Sequence, residues 1–273
     1  MQPEPATVAA TAPHPPLASY YAAPPERGAL VRGLFNGTAP NYDRINRVFS
    51  LGSGAWYRRG ALRRAGLAPG DRVLDIAVGT GLVAREAVGI TGRASDVIGL
   101  DVSEGMLAEA RRTLPIPLIQ ARAEALPVAG ASIDFLSMGY ALRHVADLAA
   151  TFAEFRRVLR PGGRLLLLEI GRPDNRLAHA ALRAYLSRIV PAICRLTAPR
   201  GRAGTLMHYY WDTIEACVPA EAILRHLAEA GFADVTCETQ LGIFRAYGAR
   251  CPDAAQGLVK GSPSAPNLPG GPR

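Results

Sequence analysis

Two acidic residues and two glycines are spaced as a binding site for an adenosine-containing ligand requires. Asp75 lies just before a turn that contains Gly79 and Gly81, and Asp101 ends the next apolar run. Glycines at such a turn let polar ligand groups approach the backbone N–H groups that begin a helix. An acid at the end of a second parallel strand can bind the two hydroxyls of a ribose. We therefore expect this segment to bind an adenosine-containing cofactor.

Two cofactor classes could use this turn. Gly79, Gly81 and Ala84 satisfy the glycine pattern of dinucleotide sites, and the spacing to Asp101 suits it. Asp75 argues against a dinucleotide, because a carboxylate beside the turn would repel a pyrophosphate. S-adenosylmethionine instead carries an ammonium and a sulfonium, which negative charge attracts. The sequence therefore favours S-adenosyl-L-methionine, with a helix-capping acid as the structural alternative for Asp75.

Composition indicates one well-packed domain with an extension at each end. Of the 273 residues, 49% are hydrophobic and 20% are charged, which suits one large core. Residues 1–27 are rich in Pro and Ala and residues 251–273 in Gly, Pro and Ser. We expect these segments to be flexible tails around a domain at residues 28–250. No secretory signal and no apolar run of membrane-helix length is present.

The cysteines and the charge distribution argue against several classes of function. The four cysteines are far apart without a C-x-x-C pair, which predicts reduced thiols and no metal site. The net charge of +8 is scattered over arginine pairs such as Arg58-Arg59 and Arg63-Arg64, which we expect on helix surfaces. No basic motif with interleaved aromatics indicates nucleic acid. We expect a cytoplasmic protein, with contact to an anionic membrane surface as the second interpretation of the charge.

Helix and strand patterns alternate between the two tails, as in an α/β domain. Ser103 is the expected N-cap of one helix, and Arg160–Gly163 (Arg-Pro-Gly-Gly) predicts a tight turn before a buried strand. The predicted strands are 73–77, 97–101, 117–120, 133–138, 164–169, 235–239 and 241–247. The predicted helices include 82–88, 103–113, 149–158 and 220–230.

The chain resembles the ubiquinone/menaquinone-biosynthesis C-methyltransferases, the UbiE family, over about residues 35–247. Its most specific matches are an entry motif Tyr-Asp…Asn…Ser-x-Gly and the segment Leu-Arg-His-Val, whereas the two glycine-containing turns are common to many methyltransferases. The matching positions are 35–36, 39, 41–43, 46, 50, 52, 56, 73–81, 120–127, 141–147, 158–164, 168–169, 230–232 and 235.

This resemblance implies a class I S-adenosylmethionine-dependent methyltransferase. The expected fold is α/β, with a doubly wound, Rossmann-like, mostly parallel sheet and an N-terminal helical lid. The resemblance implies cofactor contacts from both turns and from the ends of several strands. These residues are Asp75, Gly79, Thr80, Gly81, Asp101, Arg122, Ala123 and Gly139.

Individual roles and three departures follow from the same resemblance. Thr80 would line the methionine side of the cofactor, and Arg122 with Ala123 would flank the adenine. The family usually has Asn at the position of Arg122, Ser or Thr near that of Gly139, and Gly at that of Val78. Because Arg has no hydrogen-bond acceptor, its backbone or Glu124 would have to hold the adenine amine.

Three residues are expected to carry the chemistry on a quinol or phenolic acceptor. Arg143 cannot act as a base, since its guanidinium stays protonated, but it can stabilise a phenolate or order a water. His144 could remove the proton, because its ordinary pKa is near neutral. Tyr42 in the lid would contact the methionine or the acceptor. The structural alternatives are a hydrogen-bonded pair at a strand end for Arg143 and His144, and packing for Tyr42.

A helical cap is predicted at about residues 172–212. Arginines and apolar residues alternate near helical spacing over 176–195, which suits a lipid-tailed quinol taken from an anionic membrane. A solvated surface or a homodimer contact explains this pattern equally well. Tyr209, Tyr210 and Trp211 could line an apolar cavity or pack in the core, and we expect Trp56 in the core.

The acceptor is the least determined part of the interpretation. The last strand lacks the His that the family usually carries near its end, and Tyr210–Ile214 departs from the family pattern. A tailoring C- or O-methyltransferase of another phenolic or polyketide metabolite is therefore the main alternative. A non-catalytic cofactor-binding module and an NAD-dependent oxidoreductase are the others, and Asp75 disfavours the last.

Overall fold

The computed structural model describes residues 12–21, 24–197 and 203–253. Seven strands in this part of the chain form one sheet. They are β1 (Val73–Ile76), β2 (Val97–Asp101), β3 (Leu118–Gln120), β4 (Ile133–Gly139), β5 (Leu159–Ile170), β6 (Ala233–Gln240) and β7 (Phe244–Arg250). Their spatial order is β3-β2-β1-β4-β5-β7-β6.

Helices cover both faces and one end of the sheet. They are α1 (Pro24–Thr38), α2 (Tyr42–Phe49), α3 (Gly54–Arg64), α4 (Leu82–Thr91), α5 (Glu104–Thr113), α6 (Leu148–Val158), α7 (Arg176–Ala184), α8 (Val190–Thr197), α9 (Ala203–Ala216) and α10 (Ala220–Glu229). A π-helical turn, Tyr185–Ile189, joins α7 to α8.

The first five strands run parallel, and β7 pairs antiparallel with both β5 and β6. Helices α3, α4 and α5 pack on one face of the sheet, and α6 and α10 pack on the other. Parallel strands covered on both faces are the doubly wound arrangement, in which ligands bind outside the carboxyl ends of the strands. The predicted α/β fold with a mostly parallel sheet is confirmed.

A third apolar cluster lies beyond the carboxyl ends of the strands, where helices α1 and α2 (the lid) meet helices α7 to α9 (the cap). Leu34 and Ile45 of the lid pack there with Leu186, Leu206 and other buried residues of the cap. The Tyr185 hydroxyl donates to the Val48 carbonyl over 2.9 Å, which links the cap to the lid. The lid and the cap therefore enclose the edge of the sheet at which a cofactor is expected.

Most predicted elements lie where the sequence patterns put them, and β2 has the predicted bounds. Ser103 caps α5, since its hydroxyl accepts from the Met106 N–H over 3.1 Å. Strand β7 lies three residues later than predicted, because Leu241 and Gly242 form the hairpin turn with positive φ. Strand β5 begins at Leu159, so the predicted turn at 160–163 lies within this strand. It appears there as an irregularity in the pairing with β4, because Leu159 pairs with Ile133 and the next paired residue, Arg164, pairs with Phe135.

Residues 12–21 lie within the predicted N-terminal tail and pack against the domain. His14 and Tyr21 are buried. The Val218 N–H donates to the Pro13 carbonyl over 2.8 Å, and the Tyr20 hydroxyl donates to Asp212 Oδ2 over 2.6 Å. This segment, which we call the strap, ties the N-terminal region to α9 and to the start of α10. The predicted tails at 1–11 and 254–273 lie outside the described residues.

The turn at Gly81 predicts a position where alanine is costly. Gly81 has φ +89°, and a Cβ there would lie 2.2 Å from Leu114 Cδ1. We expect Gly81→Ala to lower the free energy of unfolding by about 2–4 kcal/mol, from left-handed strain and overpacking. Gly28→Ala in α1 is the control, because nothing lies within 4 Å of a Cβ there. Equal denaturant midpoints for the two variants would contradict this account.

Candidate active site

The glycine turn after β1 is held against the end of β2 by one carboxylate. Asp101 Oδ2 accepts from the Gly79 N–H and Oδ1 accepts from the Ser103 N–H, each over 2.8 Å. Burial raises the pKa of Asp101, and these hydrogen bonds oppose the rise. Gly79 has φ +56°, which favours glycine. The structure therefore brings together three of the predicted site residues, Gly79, Gly81 and Asp101.

Asp75 lies beneath this turn rather than beside a ligand cavity. Its Oδ1 accepts from the Ser137 hydroxyl over 2.6 Å, and its Oδ2 is buried without a partner among the described residues. Burial raises the pKa of Asp75 to about 7. Asp75 is thus not a permanently charged neighbour of the ligand, as the charge argument assumed, and it can act on the ligand only through the turn above it.

A small cavity of about 40 Å³ adjoins the turn. It is lined by the predicted residues Gly79, Thr80, Gly139 and Tyr42 and by Asn46, Arg58, Ala77, Val78, Leu82, Val83 and Tyr140. Ala77 and Tyr140 have φ of +53° and +61°, which non-glycine residues rarely adopt. Such strain persists where the surrounding structure enforces it, and it clusters at ligand sites.

Arg122 and Ala123 lie apart from this cavity, on the loop after β3. Arg122 is exposed, and its Nε lies 3.4 Å from Glu124 Oε2. Glu124 Oε1 accepts from the Ala146 N–H over 2.6 Å. The Ala121 N–H donates to the Asp101 carbonyl over 3.1 Å, so this loop starts beside the end of β2. An adenine role for Arg122 and Ala123 stays a prediction.

The lid is fastened over the turn at two points. The Thr80 hydroxyl donates to Asp43 Oδ1 over 2.5 Å. Asn36 Oδ1 accepts from the Ser103 hydroxyl over 2.6 Å and from the Gly105 N–H over 3.0 Å. These hydrogen bonds close the lid across the ends of β1 and β2, so a ligand on the glycine turn would be shielded from water.

A larger cavity of about 460 Å³ continues from the small one and lies under the lid. Tyr42, Asn46, Arg58 and Tyr140 line both cavities. The other lining residues of the large cavity are Ser50, Ser53, Gly54, Trp56, Tyr57, Arg143, Ile170, Tyr210, Gln240, Leu241 and Phe244. Its lining is rich in aromatic and aliphatic residues, and Arg58 and Arg143 are the charged residues in it. This arrangement suits an apolar ring that carries an anionic or strongly polar oxygen.

Arg143 is the fully buried cation at the wall of this cavity. Its guanidinium pairs with Glu169, which also accepts from the Leu142 N–H over 2.7 Å, and its Nε donates to Thr213 Oγ1 over 3.1 Å. The guanidinium carbon lies 5.0 Å from the centroid of the Tyr210 ring. Arg143 is therefore fixed in place at the cavity wall, with its Nη2 amino group buried and unpartnered among the described residues.

Tyr42 and His144 differ in their access to the cavity. The Tyr42 hydroxyl lies 3.0 Å from the Tyr210 hydroxyl, and burial raises the Tyr42 pKa. His144 lines neither cavity; its ring stacks on Tyr209 with centroids 5.4 Å apart, and its Nδ1 lies 3.4 Å from the Tyr209 hydroxyl. Burial and the charge of Arg143 hold the His144 pKa well below its usual range. The geometry therefore does not support His144 as the base.

The aromatic residues of the cap and the lid also separate into two groups. Tyr209, Tyr210 and Trp211 are all buried in α9, and Tyr210 is the one that lines the large cavity. Trp56 is 77% exposed at the cavity mouth, so the expectation of a core position was wrong. It stands near the start of α3, where the lid leaves the cavity open, and no element covers its outer face among the described residues.

Sequence reasoning missed three residues of the site. Arg58 is buried and lines both cavities, although the arginine pair was expected on a helix surface. Glu169, the partner of Arg143, could have been suspected as a carboxylate at the end of an otherwise apolar strand. Arg27 is buried, contacts His14 Nε2 over 2.8 Å and donates to the Arg143 carbonyl, so it joins the strap to the segment that carries Arg143. No sequence pattern marks Arg27.

The sheet order and the glycine turn define the fold of the class I methyltransferases. Solved structures of S-adenosylmethionine-dependent methyltransferases share this fold with the chain. One from Thermotoga maritima is 20% identical with a TM-score of 0.57, over 80% of this chain and 98% of the other. One from Aquifex aeolicus is 16% identical with a TM-score of 0.54, over 76% and 98%. None of the described helices is long and apolar enough to cross a membrane.

Comparison with curated sequences narrows the class. Residues 25–247 match the ubiE/COQ5 methyltransferase family. The ubiquinone/menaquinone biosynthesis C-methyltransferase UbiE of Syntrophotalea carbinolica is 37% identical over 213 residues, covering 76% of this chain and 88% of that protein. The demethylmenaquinone methyltransferase of Mycobacterium tuberculosis is 34% identical over 206 residues, covering 75% and 85%. The chain belongs to the ubiE/COQ5 methyltransferase family, as the sequence motifs indicated, and it is a methyltransferase.

The environment of Asp75 predicts a pH-dependent stability. Because burial raises its pKa from 3.8 to about 7, Asp75 contributes stability that is full below about pH 4 and lost as pH rises through about 7. We expect the free energy of unfolding of Asp75→Asn to rise relative to that of the wild type by about 1.4 kcal/mol per pH unit between about pH 5 and about pH 7. Denaturant unfolding across this pH range measures the difference.

Ser137→Ala provides the matched test. Its hydroxyl lowers the Asp75 pKa by hydrogen bonding. Removing it should therefore shift the pH window of the decline upward. A difference between Asp75→Asn and wild type that stays constant with pH would contradict the assignment of a raised pKa to Asp75.

Proposed function

We propose that this protein uses S-adenosyl-L-methionine to methylate a ring carbon of a quinol or phenolic acceptor in ubiquinone or menaquinone biosynthesis. The observation that carries the proposal is the buried cation Arg143 at the wall of an apolar cavity that continues from the glycine turn. The names of the curated relatives, which act in these two biosyntheses, support the acceptor class. When bound, the cofactor would supply an electrophilic methyl group.

The residues at the carboxyl ends of the strands fit this cofactor. Gly79 and Gly81 carry no side chains that would block the backbone of the turn. A Cβ at Gly139 would lie only 2.8 Å from Val83 Cγ2, so a side chain does not fit at that position either. Asp101 would bind the ribose hydroxyls, and Thr80 would line the methionine end. Asp75 would support the turn from below. Arg122 and Ala123 would lie at the adenine end, beyond the loop that follows β3.

Arg143 would make the acceptor nucleophilic by favouring its phenolate. A ring carbon gains electron density when a neighbouring hydroxyl loses its proton, and a fixed cation in a cavity of low polarity stabilises the resulting oxyanion. The described lining of the large cavity contains neither a carboxylate nor a histidine. The proton would therefore pass to water, while Glu169 and Thr213 hold the guanidinium in position.

Carbon methylation is favoured over oxygen methylation by the relatives, since UbiE of Syntrophotalea carbinolica is named a C-methyltransferase. Both reactions need the acceptor hydroxyl to lose its proton, and His144, the candidate base for an oxygen acceptor, lines neither cavity. Another phenolic or polyketide acceptor remains the alternative, because Tyr210 and its neighbours in α9 depart from the family pattern. A non-catalytic binding module is disfavoured by the curated relatives, which are named as methyltransferases.

The mouth of the large cavity suits an acceptor with a lipid tail. Leu51, Trp56 and Leu241 are 83%, 77% and 87% exposed, and Trp56 and Leu241 also line the cavity. Exposed apolar tips around a pocket, on a chain of net charge +8, fit peripheral contact with an anionic membrane surface. A homodimer that covers these side chains is the alternative, and sedimentation of the free protein distinguishes it.

The proposed role of Arg143 predicts how substitutions at this position change turnover. Arg143→Met should lower turnover about 100- to 1,000-fold, because the phenolate loses its fixed cation. Arg143→Lys should lower it less, since the charge remains but the planar geometry is lost. Product mass from a reduced, short-tailed demethyl-quinol measures turnover, and calorimetric titration with S-adenosylhomocysteine measures cofactor affinity.

Cofactor affinity is the control for this experiment. It should stay within about threefold of wild type in both variants, because Arg143 lines only the large cavity. Asp101→Asn should show the opposite pattern, with weaker cofactor binding. Loss of cofactor affinity in Arg143→Lys, or unchanged turnover in Arg143→Met, would contradict the proposed role.

The exposed mouth predicts membrane binding. Leu51→Ser should weaken co-sedimentation with vesicles of phosphatidylglycerol and phosphatidylcholine, yet leave turnover of a short-tailed acceptor unchanged, since Leu51 lines neither cavity. Leu177→Ser is the control, because Leu177 is similarly exposed (81%) on α7. An equal loss in the control, or no loss in Leu51→Ser, would contradict contact through the mouth.

A further inference from the structure

Arg58 is a second buried arginine at the site, and the acceptor chemistry does not use it. It lies in α3 with 8% of its surface exposed, and it lines both the small and the large cavity. Arg143, in contrast, lines the large cavity alone. Arg58 therefore stands at the junction between the glycine turn and the acceptor space, where a ligand in either cavity could reach it.

The guanidinium of Arg58 lacks a fixed counter-charge. No described side chain forms an ion pair with it, and its Nε is buried without a partner in the described part of the chain. Burial lowers the pKa of Arg58, which reflects the cost of holding its charge there. A buried cation is expensive unless an anion and hydrogen bonds compensate it. A bound anion would provide this compensation.

Two carboxylates whose charge acts on Arg58 already have other partners. Glu86 pairs with Arg59 over 2.9 Å, and Asp43 accepts from the Thr80 hydroxyl over 2.5 Å. Both contribute to the electrostatic field at Arg58 without a direct ion pair. Neither therefore serves as the ion-pair partner of the Arg58 guanidinium.

The helix around Arg58 leaves space for its guanidinium. Gly54 lies one turn earlier in α3, and a Cβ at Gly54 would stand 2.8 Å from Arg58 Nη1 and 3.1 Å from Ser50 Oγ. Residues four apart share one face of a helix, so any side chain at Gly54 would displace the guanidinium. Gly54 has no positive φ, which means that it is not required by the backbone. Because Gly54 has no side chain, the Arg58 guanidinium can occupy its position beside the cavities.

The lining of the small cavity indicates which anionic group would bind Arg58. Among its described lining residues Arg58 alone carries a charge, and the turn residues Gly79 and Thr80 line the same cavity. The part of the cofactor expected at this turn is its amino-acid end, which carries an ammonium and a carboxylate. The ammonium can use the carbonyl groups at the ends of β1 and β4, whereas the carboxylate needs a cation.

We propose that Arg58 binds the carboxylate at the amino-acid end of S-adenosylmethionine, and that Gly54 makes this contact possible. This inference rests on the proposed function, because it requires the cofactor to occupy the glycine turn. Arg58 would then hold the cofactor by its charge from one side, while Asp101 holds the ribose from the other. The two residues would bind the two ends of the part of the cofactor that joins its ribose to its amino-acid group.

A pair of ligands that differ only in the carboxylate tests the proposal. S-adenosylhomocysteine carries it, and decarboxylated S-adenosylhomocysteine keeps the adenosine, the thioether and the amine without it. We expect the wild type to bind the first about 10- to 100-fold more tightly by calorimetric titration, as a charge-assisted hydrogen bond provides. Arg58→Met should bind the two ligands with nearly equal affinity, while its affinity for the decarboxylated ligand stays close to wild type.

Three variants complete the experiment. Gly54→Ala keeps the charge but displaces the guanidinium, so it should lose part of the preference. Arg58→Lys should restore part of what Arg58→Met loses, since it returns a charge without the fork of donors. Arg63→Met, an exposed arginine of the same helix, should keep the full preference.

Each contrary result has a defined meaning. A full preference for the carboxylate in Arg58→Met would overturn the proposal. An equal loss for both ligands would also overturn it, because it would indicate damage to the fold rather than to one contact. Unchanged cofactor affinity with a raised KM for the acceptor would assign Arg58 to the acceptor instead. A wild type that binds neither ligand would contradict the proposed function itself.

Discussion

Glu169 compensates the charge of Arg143 at a depth where neither group meets water, and the acceptor site depends on this pair. Removing one partner from a buried ion pair costs about 3–5 kcal/mol, because the remaining charge stays buried. The pair also fixes geometry: Glu169 accepts from the Leu142 N–H as well, so β5 positions the segment that carries Arg143. Thr213 of α9 holds the other side of the guanidinium. Contacts from both the sheet and the cap therefore hold the Arg143 side chain in one orientation.

The strap extends this constraint to the N-terminal region. Arg27 of α1 donates to the Arg143 carbonyl and contacts His14, whose pKa burial lowers to about 4. A neutral His14 can accept from Arg27 without adding charge next to two guanidinium groups. The lid, the cap and the strap thus meet at the short segment Leu142–His144. This convergence explains why His144 is buried in packing and has no access to the cavity, although its residue type suits a base.

The sequence predicted the sheet well because apolar runs and glycine turns are local signals. Strand β2 and the cap at Ser103 depend on residues that are adjacent in the chain. Trp56 and Arg58 were misplaced for the opposite reason. Their exposure depends on how α3 packs against distant parts of the chain: Tyr57 lies against Phe244, and Arg58 lines a cavity with Tyr140. In α3 the aromatic residue is exposed and the arginine is buried, a reversal that residue type alone cannot indicate.

The two arginines that line the cavities, Arg58 and Arg143, are suited to different anions because their surroundings differ. Arg143 has a permanent partner in Glu169, so the pair carries little net charge into the fold, and Arg143 lines the large cavity alone. Arg58 has no such partner in the described chain, so the protein without ligand bears the cost of its charge. An anion that binds Arg58 relieves this cost, whereas one that binds Arg143 does not. The unpaired arginine is therefore suited to a ligand that is always ionised, and the paired arginine to an oxygen whose charge appears only during the reaction.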